Sequence, residues 1–185
     1  MAGSSHLSVR ENESYNQYGA YKIGFSVGIG TVQSLTSHLQ LQERVLFEQK
    51  GYKTSEPVSG TNGGKSIRSH SFNYLTFTVA PQYLFGNRKH MSIGLGCYLG
   101  MLMKVKVKTI YTPLNLHSSS LATDGYPRVD YGITLNISYS VPLSKKILID
   151  LNLIENYGLR ELGKSSTIGF LKMNSMVLMV GIRKR

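Results

Sequence analysis

Tryptophan is absent, cysteine occurs once, and 10 acidic residues face 21 lysines and arginines in 185 residues. The lone Cys97 excludes an internal disulfide, and on an apolar face it reads as a small hydrophobe. No apolar run approaches the roughly 18–20 residues that a membrane helix needs; the longest clear one is Met176 to Val180. Met1 to Gln17 is polar and lacks the apolar centre of a secretory signal. Charged residues make up only 17% of the chain, yet the net charge is +11, which asks for a partner or a polyanionic setting. The basic residues are scattered along strands and turns, not gathered on a helix or beside stacking aromatics. That argues against nucleic acid and suits phosphate-bearing lipid headgroups.

What is present is alternation. In Met91 to Lys108 every odd position is apolar, while the even positions are small, polar or basic apart from Leu102. Successive strand residues face opposite sides, so this is one long strand with an apolar face and a wet face. At about 3.3 Å per residue it reaches far beyond the usual strand of five or six residues. A bilayer needs strands of this kind, and hydropathy averages their signal away.

The same pattern recurs along the chain. It predicts strands over Tyr18 to Gly30, Leu39 to Lys50, Phe72 to Phe85, Asp130 to Val141, Ile147 to Leu159 and Asn174 to Arg183. In the second of these Glu43 breaks the apolar face and Leu46 the polar one. Pro81 removes a ladder donor and predicts a bulge or break. The links alternate short and long; the long ones are Gly51 to Ser71, Thr109 to Arg128 and Arg160 to Lys172. No helix is predicted. The fold class is therefore an all-β, antiparallel up-and-down transmembrane barrel, with residues 18–185 as the barrel and 1–17 as a polar N-terminal segment. Short turns belong in the periplasm and long loops outside, and bacterial barrels have an even strand number. Seven strands thus imply a missing first strand. A truncated or misplaced start would remove it together with a signal peptide.

Four motifs, in order, carry a resemblance. They are Val45-Leu46-Phe47-Glu48-Gln49-Lys50-Gly51, the spaced glycines of Gly94 to Gly100, Asp130-Tyr131-Gly132, and Asn156 to Leu159. This set resembles the PorT-like small outer-membrane β-barrel proteins of Bacteroidetes-type bacteria, over about Tyr18 to Arg183. The resemblance implies eight strands, residence in the outer membrane of a Gram-negative cell envelope, and a link to secretion or envelope upkeep. In it Ala2-Gly3 would be the stub of strand one and Ser4 to Gln17 the first outer loop. The chain departs from the family by carrying Thr78 with Pro81 later, and by finishing Gly181-Ile182-Arg183-Lys184-Arg185 where an aromatic is common.

No constellation for chemistry emerges. The glycines lie inside strands with no helix following, so they are small residues of a crowded lumen and not a phosphate cradle. His6, His38, His70, His90 and His117 stand singly, without metal-site spacing. No catalytic residue, metal or cofactor is expected, and the chain is expected to be no enzyme. The informative polar set is the charges assigned to the lumen: Lys22, Arg44, Glu48, Lys50, Lys104, Lys106, Asp130 and Asp150. An eight-stranded barrel is just filled by side chains, so these should pair in a plugging network. A narrow selective pore or a ligand pocket lined by Arg44 and Lys104 is the functional variant. Outward Tyr21, Phe47, Tyr83, Tyr131, Tyr139 and Tyr157 suit interfacial girdles. Expected partners are membrane lipid with phosphate-bearing headgroups and a protein met through the outer loops. The runner-up is a soluble lipocalin-like barrel with Ile93, Leu95, Leu99 and Met101 turned inward around an apolar ligand; an outer-membrane hydrolase is a third reading.

Overall fold

A computed structural model describes residues 2–8, 20–58, 64–86, 90–112, 116–161 and 172–184. The strands are β1 (Ala2–Ser8), β2 (Ala20–Ser34), β3 (Leu39–Pro57), β4 (Lys65–Phe85), β5 (Met91–Thr112), β6 (Leu116–Leu121), β7 (Val129–Pro142), β8 (Ile147–Glu161) and β9 (Lys172–Lys184). All pairings are antiparallel. Eight strands close a ring in the order β4-β3-β2-β1-β9-β8-β7-β5, which β5 completes by pairing with β4. The ninth, β6, lies along the loop-end half of β5 only. The sole helical turn among the described residues is the 3-10 turn Thr123–Gly125.

The stagger of the barrel follows from its register. From Met91 the partners run Tyr139, Leu151, Val180, Ala2, Val27, Phe47 and Leu75, and return to β5 at Met101, ten residues on (91 to 101). Eight strands with that stagger tilt by about 40°. Ten residues at ~3.3 Å then climb about 25 Å along the axis, the height of an outer-membrane apolar band.

The walls alternate as the sequence demands. Leu95 is 62% exposed on the outer face, and Leu135 and Leu151 are exposed beside it, whereas Gln82, Asn136 and Asn152 are buried within. This is the reverse of the lipocalin-like arrangement, which needs the aliphatic face inward. The two exceptions in β3 keep their parity: Leu46 is inside, and Glu43 is outside, accepting hydrogen bonds from Thr31 Oγ1 (3.0 Å) and Gln33.

Three expectations about elements change. First, a strand occupies the slot that a count of seven strands leaves empty. Residues Ala2–Ser8 pair with β2 and with β9, so Ser4 to Ser8 belong to the wall and not to an outer loop. Its sequence, AGSSHLS, has too little apolar contrast to announce a strand. Second, the loop expected over Gly51 to Ser71 is largely sheet, because β3 and β4 stay in register out to Pro57↔Lys65. Both faces of that extension lie above the apolar band, where alternation has no purpose. The loop over Thr109 to Arg128 likewise holds the end of β5 and β6. Third, of the bulge or break expected at Pro81 it is the break that forms: the ladder to β5 is interrupted without a change of register, which reads Val79↔Cys97 before it and Gln82↔Gly94 after it. The bulge sits elsewhere, opposite Asn73 and Tyr74, where Met103 is the extra residue of β5. The expected third loop, 160–172, and the first, 4–17, fall mostly outside the described residues.

Candidate functional site

The interior is filled in layers. At the short-turn end Arg183 meets Asp150 in a two-pronged pair, Nε to Oδ2 at 2.7 Å and Nη2 to Oδ1 at 3.0 Å, and Ser140 Oγ donates to the same carboxylate. Above it lies an amide cluster. Arg44 Nη2 donates to Asn152 Oδ1 at 2.8 Å, Asn136 Nδ2 donates to Gln42 Oε1 at 2.7 Å, and Gln82 Nε2 donates to Gln42. An apolar layer of Leu46, Ile154, Val177 and Met179 follows.

The next layer holds buried charge. Lys50 Nζ lies 3.2 Å from Glu48 Oε2, both side chains essentially sealed from solvent at 1% and 0% exposure. The ammonium also sits 5.5 Å from the Tyr74 ring centre and 5.3 Å from that of Tyr98, close enough for cation–π attraction. Thr76 donates to Glu48 at 2.6 Å, and Tyr98 donates to Asp130 at 3.1 Å. Glycine makes room for Tyr98: a Cβ on Gly132 would fall 2.7 Å from its ring and 2.0 Å from the Tyr157 carbonyl.

Above this lies a buried apolar cluster of Phe72, Tyr74, Leu102, Val105 and Met173, with Tyr52 and Tyr126 packed on it. His70 stacks on Tyr52 at 4.6 Å and meets the Tyr126 hydroxyl through Nδ1 at 3.2 Å. Burial, then Arg68, then Lys22 hold the His70 imidazole below its ordinary value. The residue stands well above the apolar band.

Five of the charges assigned to the lumen are there: Arg44, Glu48, Lys50, Asp130 and Asp150 are all buried. Three are not. Lys104 and Lys106 are exposed on the outer wall, because the extra residue Met103 shifts the parity and sends Val105 and Val107 inward instead. A pore lined by Lys104 is therefore ruled out by its direction. Lys22 also lies outside: its Nζ donates to Ser71 Oγ after crossing the outer face of Gly51. Arg183, Tyr74 and Tyr98 are interior partners of these charges that a count of charges on the clear strands leaves out; the two tyrosines stand at inward parity positions. Glu155 is a further charge outside that set. It faces outward between Leu135 and Met176, a carboxylate inside the apolar band.

On the outside, Tyr83 and Tyr139 are exposed near the short-turn rim, and Tyr131 and Tyr157 near the loop rim. Tyr131 and Tyr139 lie eight residues apart on β7, about 20 Å along the axis, as two girdles require. The Tyr21 side chain lies outside the described residues. Cys97 is exposed on the same outer face.

A family model described as outer membrane protein beta-barrel domain matches residues 2–162. Among solved structures, neisserial surface protein A is similar at 16% identity and a TM-score of 0.45, over 99% of this chain and 93% of that one. Ail, the attachment invasion locus protein of Yersinia pestis, was solved with the heparin analogue sucrose octasulfate. It is similar at 12% identity and a TM-score of 0.40, over 98% of this chain and 94% of that one. No curated protein matches the sequence.

Proposed function

This chain belongs to the outer membrane protein beta-barrel domain family and resides in the bacterial outer membrane, and from that premise we propose that it is a plugged, non-enzymatic barrel that acts through its outer surface. Its work is envelope structure or the docking of a protein at the loop end, where the β3–β4 extension, β6 and the longer connections gather. The PorT-like motifs make an assembly or secretion partner the first to seek. Lipid with phosphate-bearing headgroups is its constant neighbour.

One observation carries the reading. Lys50 and Glu48, with Phe72 and Tyr74 packed above them, are fully buried inside the barrel, and that burial is what favours a plug over a hydrated path. A charge buried this way is held by pairing, and a conducting pore would need it hydrated. The test is conductance. Purified protein in planar bilayers is expected to give no stepwise current, and regular ion-selective openings would overturn the proposal.

A further inference from the structure

Beyond the plugged interior, one stretch of outer wall is built unlike the rest. Above Met103 three outward rows cross strands β3, β4 and β5: Gln49, Asn73 and Lys104; Gly51, Ser71 and Lys106; Lys53, Ser69 and Lys108. None of these nine positions carries a carboxylate, and four are lysine. Lys22, from β2, joins them through its bond to Ser71. The central strand offers only hydroxyls and an amide, so β4 is the floor of a shallow trough between lysines on either side. Lys53 and Lys108 stand two strands apart, about 10 Å.

We propose that Lys22, Lys53, Lys104, Lys106 and Lys108 form a binding site for the phosphate groups of the glycolipid that makes up the outer leaflet. Height selects this ligand. The apolar column of β5 from Met91 to Met101 climbs about 25 Å, so the lysines begin where hydrocarbon ends. Long loops mark this end as the outer one. Direction selects it again. The lysines leave the wall sideways, level with the headgroups, so neighbouring lipid meets them before any soluble polyanion does. Each ammonium is a flexible point charge whose stem can lie along the wall while its head reaches a phosphate.

Two local devices exist to present this patch. The extra residue at Met103 turns Lys104, Lys106 and Lys108 outward, where unbroken alternation would have buried them. Gly51 provides the bed for Lys22: a Cβ there would lie 2.8 Å from Lys22 Cδ and 2.2 Å from the His70 carbonyl. Both are spent on a surface that the barrel's closure does not need.

The inference rests on outer-membrane residence but not on the plugged lumen, so conductance leaves it untouched. Purified protein in detergent is titrated with lipopolysaccharide and with the same lipid after enzymatic removal of its phosphates, and bound lipid is read by native mass spectrometry. The wild type should prefer the phosphorylated form. Lys104→Gln/Lys106→Gln/Lys108→Gln should lose on the order of 100-fold in affinity, at roughly fivefold per lysine near a charged surface. Lys145→Gln/Lys146→Gln at the opposite end should lose nothing, and the triple arginine variant should keep binding. Heat-modifiable gel mobility confirms each variant is folded; if the glutamine triple fails it, Lys106→Gln alone, expected near fivefold, takes its place. Equal binding of both lipid forms, or an unaltered folded glutamine variant, overturns the proposal. So does full displacement by millimolar inorganic phosphate, which would mark a site for the free anion.

Discussion

Lys50 and Glu48 form a buried pair on one strand, two residues apart, each pointing into the lumen because both positions are even. Losing one partner strands the other in a dry interior, which costs about 3–5 kcal/mol, while an apolar replacement of both is close to neutral. Lys50→Met is therefore expected to lower barrel stability by about that amount, and Lys50→Met with Glu48→Leu to recover most of it. Urea unfolding in vesicles, followed by tyrosine fluorescence and gel mobility, reads both. Equal destabilisation by the single and the double change would show that the pair matters only for its volume. Parity alone placed Arg44, Glu48, Lys50, Asp130 and Asp150 inside, since strand geometry needs no knowledge of neighbours. The partners were not legible. Asp150 and Arg183 meet from separate strands across a connection whose length says nothing about register.

Among elements, β5 shows where parity reasoning stops. Its apolar column obeys a period of two up to Met101, yet Leu102 breaks the polar series and Lys104 sits at a position counted as inward. Leu102 was the visible warning. A bulge places two residues opposite one, so parity above it no longer follows parity below. It follows that Met103 can be deleted without changing the side that any other residue faces: Leu102 stays inward and Lys104 outward, in the existing register with Tyr74 and Asn73. Deleting Val105 cannot do this, because a lysine then takes the inward place against Phe72 and Met173. The Met103 deletion is expected to fold with normal heat-modifiable mobility, and the Val105 deletion to lose it. If both fold alike, the extra residue is not at Met103. The seven-residue β1 and the β3–β4 extension escaped notice for a different reason. A strand announces itself by contrast between its faces, and neither of these has an apolar face to contrast.

At the scale of the whole molecule, the band of hydrocarbon contact is set by closure and not by any one strand. The ring returns ten residues along β5, and that stagger fixes a height of about 25 Å between Met91 and Met101. The sequence shows the face but not the stagger, because stagger is a sum of eight registers and one polar strand among them was invisible. The +11 charge then finds its place. The described basic residues outside the lumen stand mostly beyond the band, with Lys145, Lys146 and Lys184 at one rim and the lysines above Met103 at the other. Cys97 lies six residues above Met91, about 15 Å up and close to the middle of the band. Being the chain's one cysteine, it reports on depth without mutagenesis. A nitroxide on Cys97 in vesicles is expected to collide far more with oxygen, which partitions into hydrocarbon, than with a water-soluble nickel chelate. The same label on Lys108→Cys in a Cys97→Ser background should show the opposite preference. A Cys97 label that the chelate reaches as readily as the Lys108 site would mean that the aliphatic wall does not face lipid, and both the band and the lysine rim above it would lose their footing.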